Sequence, residues 1–150
     1  MSTDVPANFT IATLGVTDLE RSARFYTDLG WEQRGNVAHG ITWFRTSGTW
    51  LGLYGYEALA EDATLTALPL GELPAYRGVT LAINLSSEAA VDRAFARVRE
   101  VGGRIVKAPA ATDWGGYSGY FADPDGHLWE IAHAPPFMLD AEGRIEIGGS

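Results

Sequence analysis

Glu130 asks for a chemical explanation before any other residue. It stands between Trp129 and Ile131, near the end of the stretch Tyr117-Ser118-Gly119-Tyr120-Phe121-Ala122-Asp123-Pro124-Asp125-Gly126-His127-Leu128-Trp129-Glu130-Ile131. Two runs of alternating aromatic and apolar side chains flank Asp-Pro-Asp-Gly. Proline presets φ at the second turn position, and Asp and Gly suit the positions that follow. The stretch therefore predicts a tight β-hairpin whose second strand carries Glu130. In an extended chain that carboxylate points to the face opposite its two apolar neighbours. Left unpaired in an apolar hollow, it would be costly or would take up a proton, and a raised pKa suits a general base. Glu130 is thus the candidate catalytic residue, with Thr80, Asn84, Trp114 and Tyr120 as candidate donors to it.

Other constellations are thinner. His127-x-x-Glu130-x-x-His133 would converge on a helix, but on a strand residues three apart face opposite sides. The two histidines turn away from Glu130 and stand roughly 20 Å apart at strand rise, too far to share an ion. His127 directly follows the turn and is expected to be exposed. His39, between strands, could enter a pocket but would bring the donors only to two. There is no cysteine, hence no disulfide, thiolate metal site or cysteine nucleophile. Gly102-Gly103 ends a helix and is no phosphate loop, and no nucleophile-bearing turn is recognisable.

The elements that must position Glu130 come in a repeated order. Phe9 to Val16 is a short apolar run suited to a buried strand. Thr17-Asp18-Leu19-Glu20 has the form of a capping box with Thr17 at the N-cap. Leu19, Ser22, Ala23, Tyr26 and Leu29 keep helical spacing, and Gly30 sits where a C-cap glycine belongs. Strands are expected over Trp31 to Arg34, Gly40 to Thr46 and Thr49 to Tyr54. Residues 55–77 break the pattern with four acids and two prolines; Ala58 to Ala63 allows a turn or two of helix, and the stretch is a linker or a lid. Then the order returns. Gly78 to Leu85 reads as a strand, Ser86 as an N-cap, and Ala90, Val91, Ala94, Phe95, Val98 and Val101 as a helix. Arg104 to Lys107, Gly116 to Phe121 and His127 to Ala132 read as three strands. A βαβββ unit this small cannot bury its sheet alone, so the duplicated halves should pair. In the tail, Phe137-Met138-Leu139 should pack on the domain or on a partner chain, with Arg144-Ile145-Glu146-Ile147 adding an edge strand.

The chain has 150 residues, 46% hydrophobic and 20% charged, which suits one ordinary globular domain. A formal charge of −8 with no basic stripe argues against a nucleic-acid partner. The opening Met1-Ser2-Thr3-Asp4-Val5-Pro6-Ala7-Asn8 lacks a basic segment and an apolar run, so no signal peptide is expected. No apolar run is long enough to span a membrane. A cytoplasmic location is the default expectation.

Two motifs carry a resemblance. Val16-x-Asp18-Leu19-Glu20-x-Ser22-x-x-Phe25-Tyr26-x-x-Leu29-Gly30-Trp31 resembles the opening of the vicinal-oxygen-chelate superfamily, and Phe121-x-Asp123-Pro124-Asp125-Gly126-x-x-x-Glu130 resembles its closing hairpin. That superfamily includes glyoxalase I, extradiol dioxygenases, fosfomycin-resistance enzymes and bleomycin-binding proteins. The likeness runs over roughly residues 8–134. It implies an α+β fold, two paired βαβββ modules forming a curled mixed-sheet cup with helices outside, often within a homodimer. Module one then spans about 8–55, the connecting loop 56–77, module two 78–134 and the tail 135–150. Fold alone does not decide activity.

Enzymes of that superfamily hold a divalent metal on the first and last strands of each module, usually through two histidines and a glutamate, sometimes with a fourth ligand. The matching positions are Ile11, Gly52, Thr80 and Glu130. Only Glu130 is a strong donor, whereas such sites need three or more, so no metal and no cofactor is expected. With Ile11 and Glu130 facing inward, alternation adds Phe9 and Thr13, then Trp50, Gly52 and Tyr54. Module two adds Thr80, Ala82 and Asn84, with Ser118, Tyr120 and Leu128 from the hairpin. Trp114-Gly115-Gly116 falls at the mouth, and Trp43 suits either face. Ile11, Thr13, Trp50, Tyr54, Thr80, Asn84, Trp114 and Tyr120 are therefore the candidate ligand-binding residues, in an aromatic, mostly apolar lining of the kind small-molecule sites use. The same aromatics also suit a filled core. The favoured reading is a homodimeric, metal-independent protein that sequesters a small aromatic or cationic molecule. The alternatives are a metal-dependent lyase, isomerase or dioxygenase with displaced ligands, and metal-free acid–base catalysis by Glu130.

Overall fold

The βαβββ order occurs twice in the computed structural model, which describes residues 4–148. Met1 to Thr3, and the last two residues of the expected tail, lie outside the described residues. The chain divides into two compact units between Ala67 and Leu68. In the first, β1 (Ile11–Val16) leads into α1 (Leu19–Asp28), then β2 (Gln33–Arg34), a 3₁₀ turn at Val37–His39, β3 (Ile41–Phe44), β4 (Trp50–Gly55) and α2 (Tyr56–Asp62). In the second, β5 (Thr80–Asn84) is followed by α3 (Glu88–Glu100), β6 (Arg104–Ala111), β7 (Tyr117–Ala122) and β8 (Leu128–His133). The sheet orders are β1-β4-β3-β2 and β5-β8-β7-β6. In each, the outer first strand runs parallel to the last and the remaining pairs are antiparallel. Taken singly, each sheet is open, with two edges that its own unit does not pair.

Period-two alternation sorts each sheet into a helix face and an open face. In the first unit Leu14, Val16, Phe44, Leu51 and Leu53 are buried, and so are Phe25 and Tyr26 of α1. The Tyr26 ring meets Phe44 and Trp31 at centroid distances of 5.7 and 5.5 Å. In the second unit Val91, Phe95 and Val98 of α3 are buried, as are Phe121, Trp129 and Ile131. Phe121 stacks on Trp129 and meets Phe95 edge-on at 6.4 Å. Gly119 is required beside them: a Cβ there would lie 2.7 Å from the Lys107 carbonyl and 2.8 Å from the Phe95 ring.

The hairpin signal is realised in full. Gly126 N donates to the Asp123 carbonyl at 2.9 Å, and Gly126 takes φ +78°. Asp123 Oδ1 accepts from the backbone N–H of Asp125 and of His127, which fastens the turn through a buried carboxylate.

Several boundaries differ from the sequence reading. Both N-caps fall one residue later: Asp18 accepts from Arg21 N and Ser87 from Ala90 N, so neither Thr17 nor Ser86 caps and no capping box forms. An aspartate or serine at the next position offers an equally good acceptor. The strand expected from Trp31 shrinks to Gln33–Arg34, while β6 extends four residues beyond Lys107. Phe9 precedes β1 and is exposed. The tail adds no strand to either large sheet: Met138–Leu139 and Ile145–Glu146 pair with each other in a separate ribbon, with Met138 exposed. Among the described residues, no helix is long and apolar enough to cross a membrane.

Candidate functional site

The open face of the first unit is built around a missing side chain. Gly52 pairs with Thr13 on one side and Trp43 on the other. A Cβ at Gly52 would meet Thr13 Oγ1 at 3.0 Å, Ile11 Cγ2 at 3.2 Å and Trp43 Cδ1 at 3.4 Å. Those three side chains thus share one face, and Trp43 belongs to the open side. Ile11 pairs with Trp50 and Ile41 with Tyr54, which puts both aromatics on that face as well. The first turn of α2 walls one end: a Cβ on Gly15 would lie 3.2 Å from Tyr56 Cα. The front of the connecting stretch is therefore part of the first unit's packing. Toward the other end a cavity of about 330 Å³ opens between Thr10, Ile11, Arg34, Trp43 and Trp50.

The rim of that cavity is charged. Arg34 stands opposite Trp43 across the β2–β3 pair. Its guanidinium lies 2.6 Å from Glu32 Oε1, and Arg45 Nε lies 3.5 Å from Glu32 Oε2. The Arg45 guanidinium also sits over the Trp50 ring, 5.5 Å from its centroid. Two cations thus share one acid beside two indoles.

The second unit's open face carries Glu130 instead. Glu130 pairs with Tyr120 on β7 and with Ala82 on β5. The Tyr120 hydroxyl donates to Glu130 Oε2 at 3.2 Å, so the carboxylate has the partner that a half-buried charge needs. Burial, the Glu130 charge and this hydrogen bond hold the Tyr120 phenol above its ordinary pKa. Of the four donors considered for Glu130, Tyr120 alone hydrogen-bonds it among the described residues. Thr80 is exposed opposite Leu128, and half-buried Asn84 lies opposite Ala132, each one pleat from the Ala82–Glu130 pair. Trp114 is in the β6–β7 connection, half exposed, with its ring folded over Gly116 so closely that a Cβ there would overlap it. The histidines go elsewhere. His39 is exposed in the 3₁₀ turn, His133 Nδ1 lies 3.1 Å from the Leu85 carbonyl, and half-buried His127 contacts Arg77 at 3.2 Å.

A family model, Glyoxalase/Bleomycin resistance protein/Dioxygenase superfamily, matches residues 9–131. The chain belongs to this superfamily. Among solved structures it resembles a glyoxalase-related enzyme from Fulvimarina pelagi, with 31% identity and a TM-score of 0.83 over 96% of this chain and 100% of that one. A glyoxalase/bleomycin resistance protein/dioxygenase from Nocardioides shares 30% identity, TM-score 0.72, over 95% of this chain and 91% of that one. Lactoylglutathione lyase from Agrobacterium tumefaciens, at 20% identity and TM-score 0.67 over 86% of this chain and 95% of that one, shares the fold. No curated protein matches the sequence.

The superfamily's metal can be tested against this member's own donors. The first unit offers Ile11 and Gly52 at the corresponding strand positions, neither a ligand, and the cavity beside them is rimmed by arginine. The second offers Thr80 and Glu130, one strong donor already engaged by Tyr120. Among the described residues no three His, Asp or Glu side chains come together as a metal cluster. The side chains at these positions do not fit a bound divalent ion. Sequence reasoning missed Arg34, Arg45 and Glu32, because their place depends on how Arg34 and Trp43 pair. That register is set by the length of the Gly35–Gly40 connection, which no periodicity reveals.

Proposed function

We propose that this superfamily member binds a small, partly aromatic organic molecule without a metal, on the open face of its first unit. The observation that supports this most is the cavity of about 330 Å³ lined by Thr10, Ile11, Arg34, Trp43 and Trp50. Its size suits a one- or two-ring molecule. Homodimeric assembly and a cytoplasmic location belong to the same proposal; the family's name joins bleomycin resistance proteins with glyoxalases and dioxygenases.

The test is a thermal-shift screen of small aromatic compounds and divalent metals, followed by metal analysis of protein purified without chelator. Aromatic compounds should raise the melting temperature and metals should not, because only what binds the folded state stabilises it. A stoichiometric ion in the purified protein would overturn the metal-independent reading.

A second reading is favoured by one contact, the Tyr120–Glu130 hydrogen bond. The pair could exchange a proton with a substrate, Glu130 as base and Tyr120 as its positioning partner. Glu130→Gln should then abolish turnover of any substrate found while leaving its affinity unchanged; equal loss of both would reduce Glu130 to a binding contact.

A further inference from the structure

We infer that the cavity between Trp43 and Trp50 selects a planar aromatic anion, a carboxylate carried on a one- or two-ring system; this rests on the small-molecule reading above. The net charge of −8 invites a cationic ligand, but the site has the opposite local sign. Among the described residues Arg34 is the one charged residue that lines the cavity. Beside it Arg45 lies over the Trp50 ring, and Glu32 contacts both guanidinium groups. In this group of three, two cations stand against one acid, which leaves a net positive charge beside the indoles. A cationic ligand would have to approach both guanidinium groups with only one carboxylate in return.

The chemistry of arginine sharpens the assignment. A guanidinium carries five donors in a planar fork that matches a carboxylate. Arg34 spends few of them, one toward the Gln33 carbonyl at 3.2 Å and one toward Glu32. The remainder are free to take a ligand oxygen at the point where the indole walls take its ring. Arg45, with its guanidinium 5.5 Å from the Trp50 ring centroid, adds a second positive charge beside that indole. A flat apolar body with a carboxylate at one edge meets both features at once. An aliphatic acid meets only the arginine, and a neutral arene meets only the indoles.

Three probes of one shape test this by calorimetry: 2-naphthoate, 2-naphthamide and 2-naphthylmethylammonium. The intact protein should bind naphthoate about tenfold more tightly than naphthamide, as one charge-assisted contact allows, with the ammonium weakest and the naphthoate advantage falling as salt rises. R34Q should lower naphthoate affinity far more than naphthamide affinity, so that the preference for naphthoate is lost. E32Q, which removes the rim's acid, should tighten naphthoate and weaken the ammonium further. If the amide or the ammonium binds the intact protein as tightly as naphthoate, or if R34Q preserves the naphthoate preference, the anion assignment is overturned while the small-molecule reading stands. If none of the three binds, the small-molecule reading falls and takes this inference with it.

Discussion

The two units share one scaffold and differ on one face. Both place a helix on the same side of a four-stranded sheet of equivalent order, and both bury aromatic rings beneath it: Tyr26 with Phe44 in one, Phe95 with Phe121 and Trp129 in the other. On the open side the likeness ends. The first unit presents Trp43 and Trp50 about a glycine, with arginines at the rim. The second presents a tyrosine bonded to a carboxylate, and smaller residues around it. The helix face must bury apolar area for either unit to fold, so its chemistry is held. On the open face the deeply buried residues are small ones such as Ser118, Ala122 and Ala132, and there the two copies diverge, one presenting indoles and the other a carboxylate.

The largest effects should come from the shared face. Phe44→Ala and Phe121→Ala each remove a fully buried ring, at 0% and 1% exposure, and each should cost about 3–5 kcal/mol in denaturant unfolding. Against a total of roughly 5–15 kcal/mol these are severe. Comparable losses are expected from the two; a large loss for one with almost none for the other would show that the cores are not equivalent. On the open face the same kind of change should do far less to folding. Trp43→Ala removes a half-buried ring, and its main effect should appear as a roughly tenfold loss of affinity for an aromatic ligand, about 1–2 kcal/mol, read by calorimetry.

The second unit's open face should show itself in pH rather than in ring affinity. Because the Tyr120 phenol is held above its ordinary pKa, the folded state keeps that proton longer than the unfolded chain does. Stability is therefore fully present below the ordinary phenol value of about 10 and falls as pH rises from there through the raised folded value. Glu130→Gln removes the neighbouring charge but leaves the burial, so Tyr120 should titrate at lower pH in the variant, though still above the ordinary value. Absorbance titration of the phenolate, against a Tyr120→Phe control to assign the signal, checks this. An unmoved titration would show that the two side chains do not interact in solution.

What could be read from the chain follows from which interactions are local. The Asp123-Pro124-Asp125-Gly126 turn is encoded within four residues, so the hairpin and the side to which Glu130 points were legible. The repeated βαβββ order was legible too, because helical and strand periods are each written along one element. Trp43 was not assignable, since two runs separated by a turn of unknown length can pair in either parity. Arg34 was hidden for the same reason, and with it the sign of the cavity. The hydrogen bond between Tyr120 and Glu130 stood among four candidates, because alternation gives the face but not the neighbour across the ladder. The tail's apolar residues gave no hint that they would pair with each other.

The helix starts offer the smallest effect and a sharp discrimination between neighbours. Thr17 and Asp18 are both good N-cap residues, and so are Ser86 and Ser87. The structure assigns the role to the second in each pair, at 3.1 Å for Asp18 to Arg21 N and 3.0 Å for Ser87 to Ala90 N. Asp18→Ala and Ser87→Ala should each cost about 1 kcal/mol, because each leaves a first-turn N–H without its acceptor. Thr17→Ala should cost less than Asp18→Ala, since the first-turn N–H of Arg21 is capped by Asp18 and the Thr17 hydroxyl accepts from the exposed Arg21 side chain at 3.3 Å. Ser86→Ala should be near neutral. Equal costs at Thr17 and Asp18 in denaturant unfolding would mean that the first helix starts one residue earlier in solution, and the matched offset of the two units would be lost.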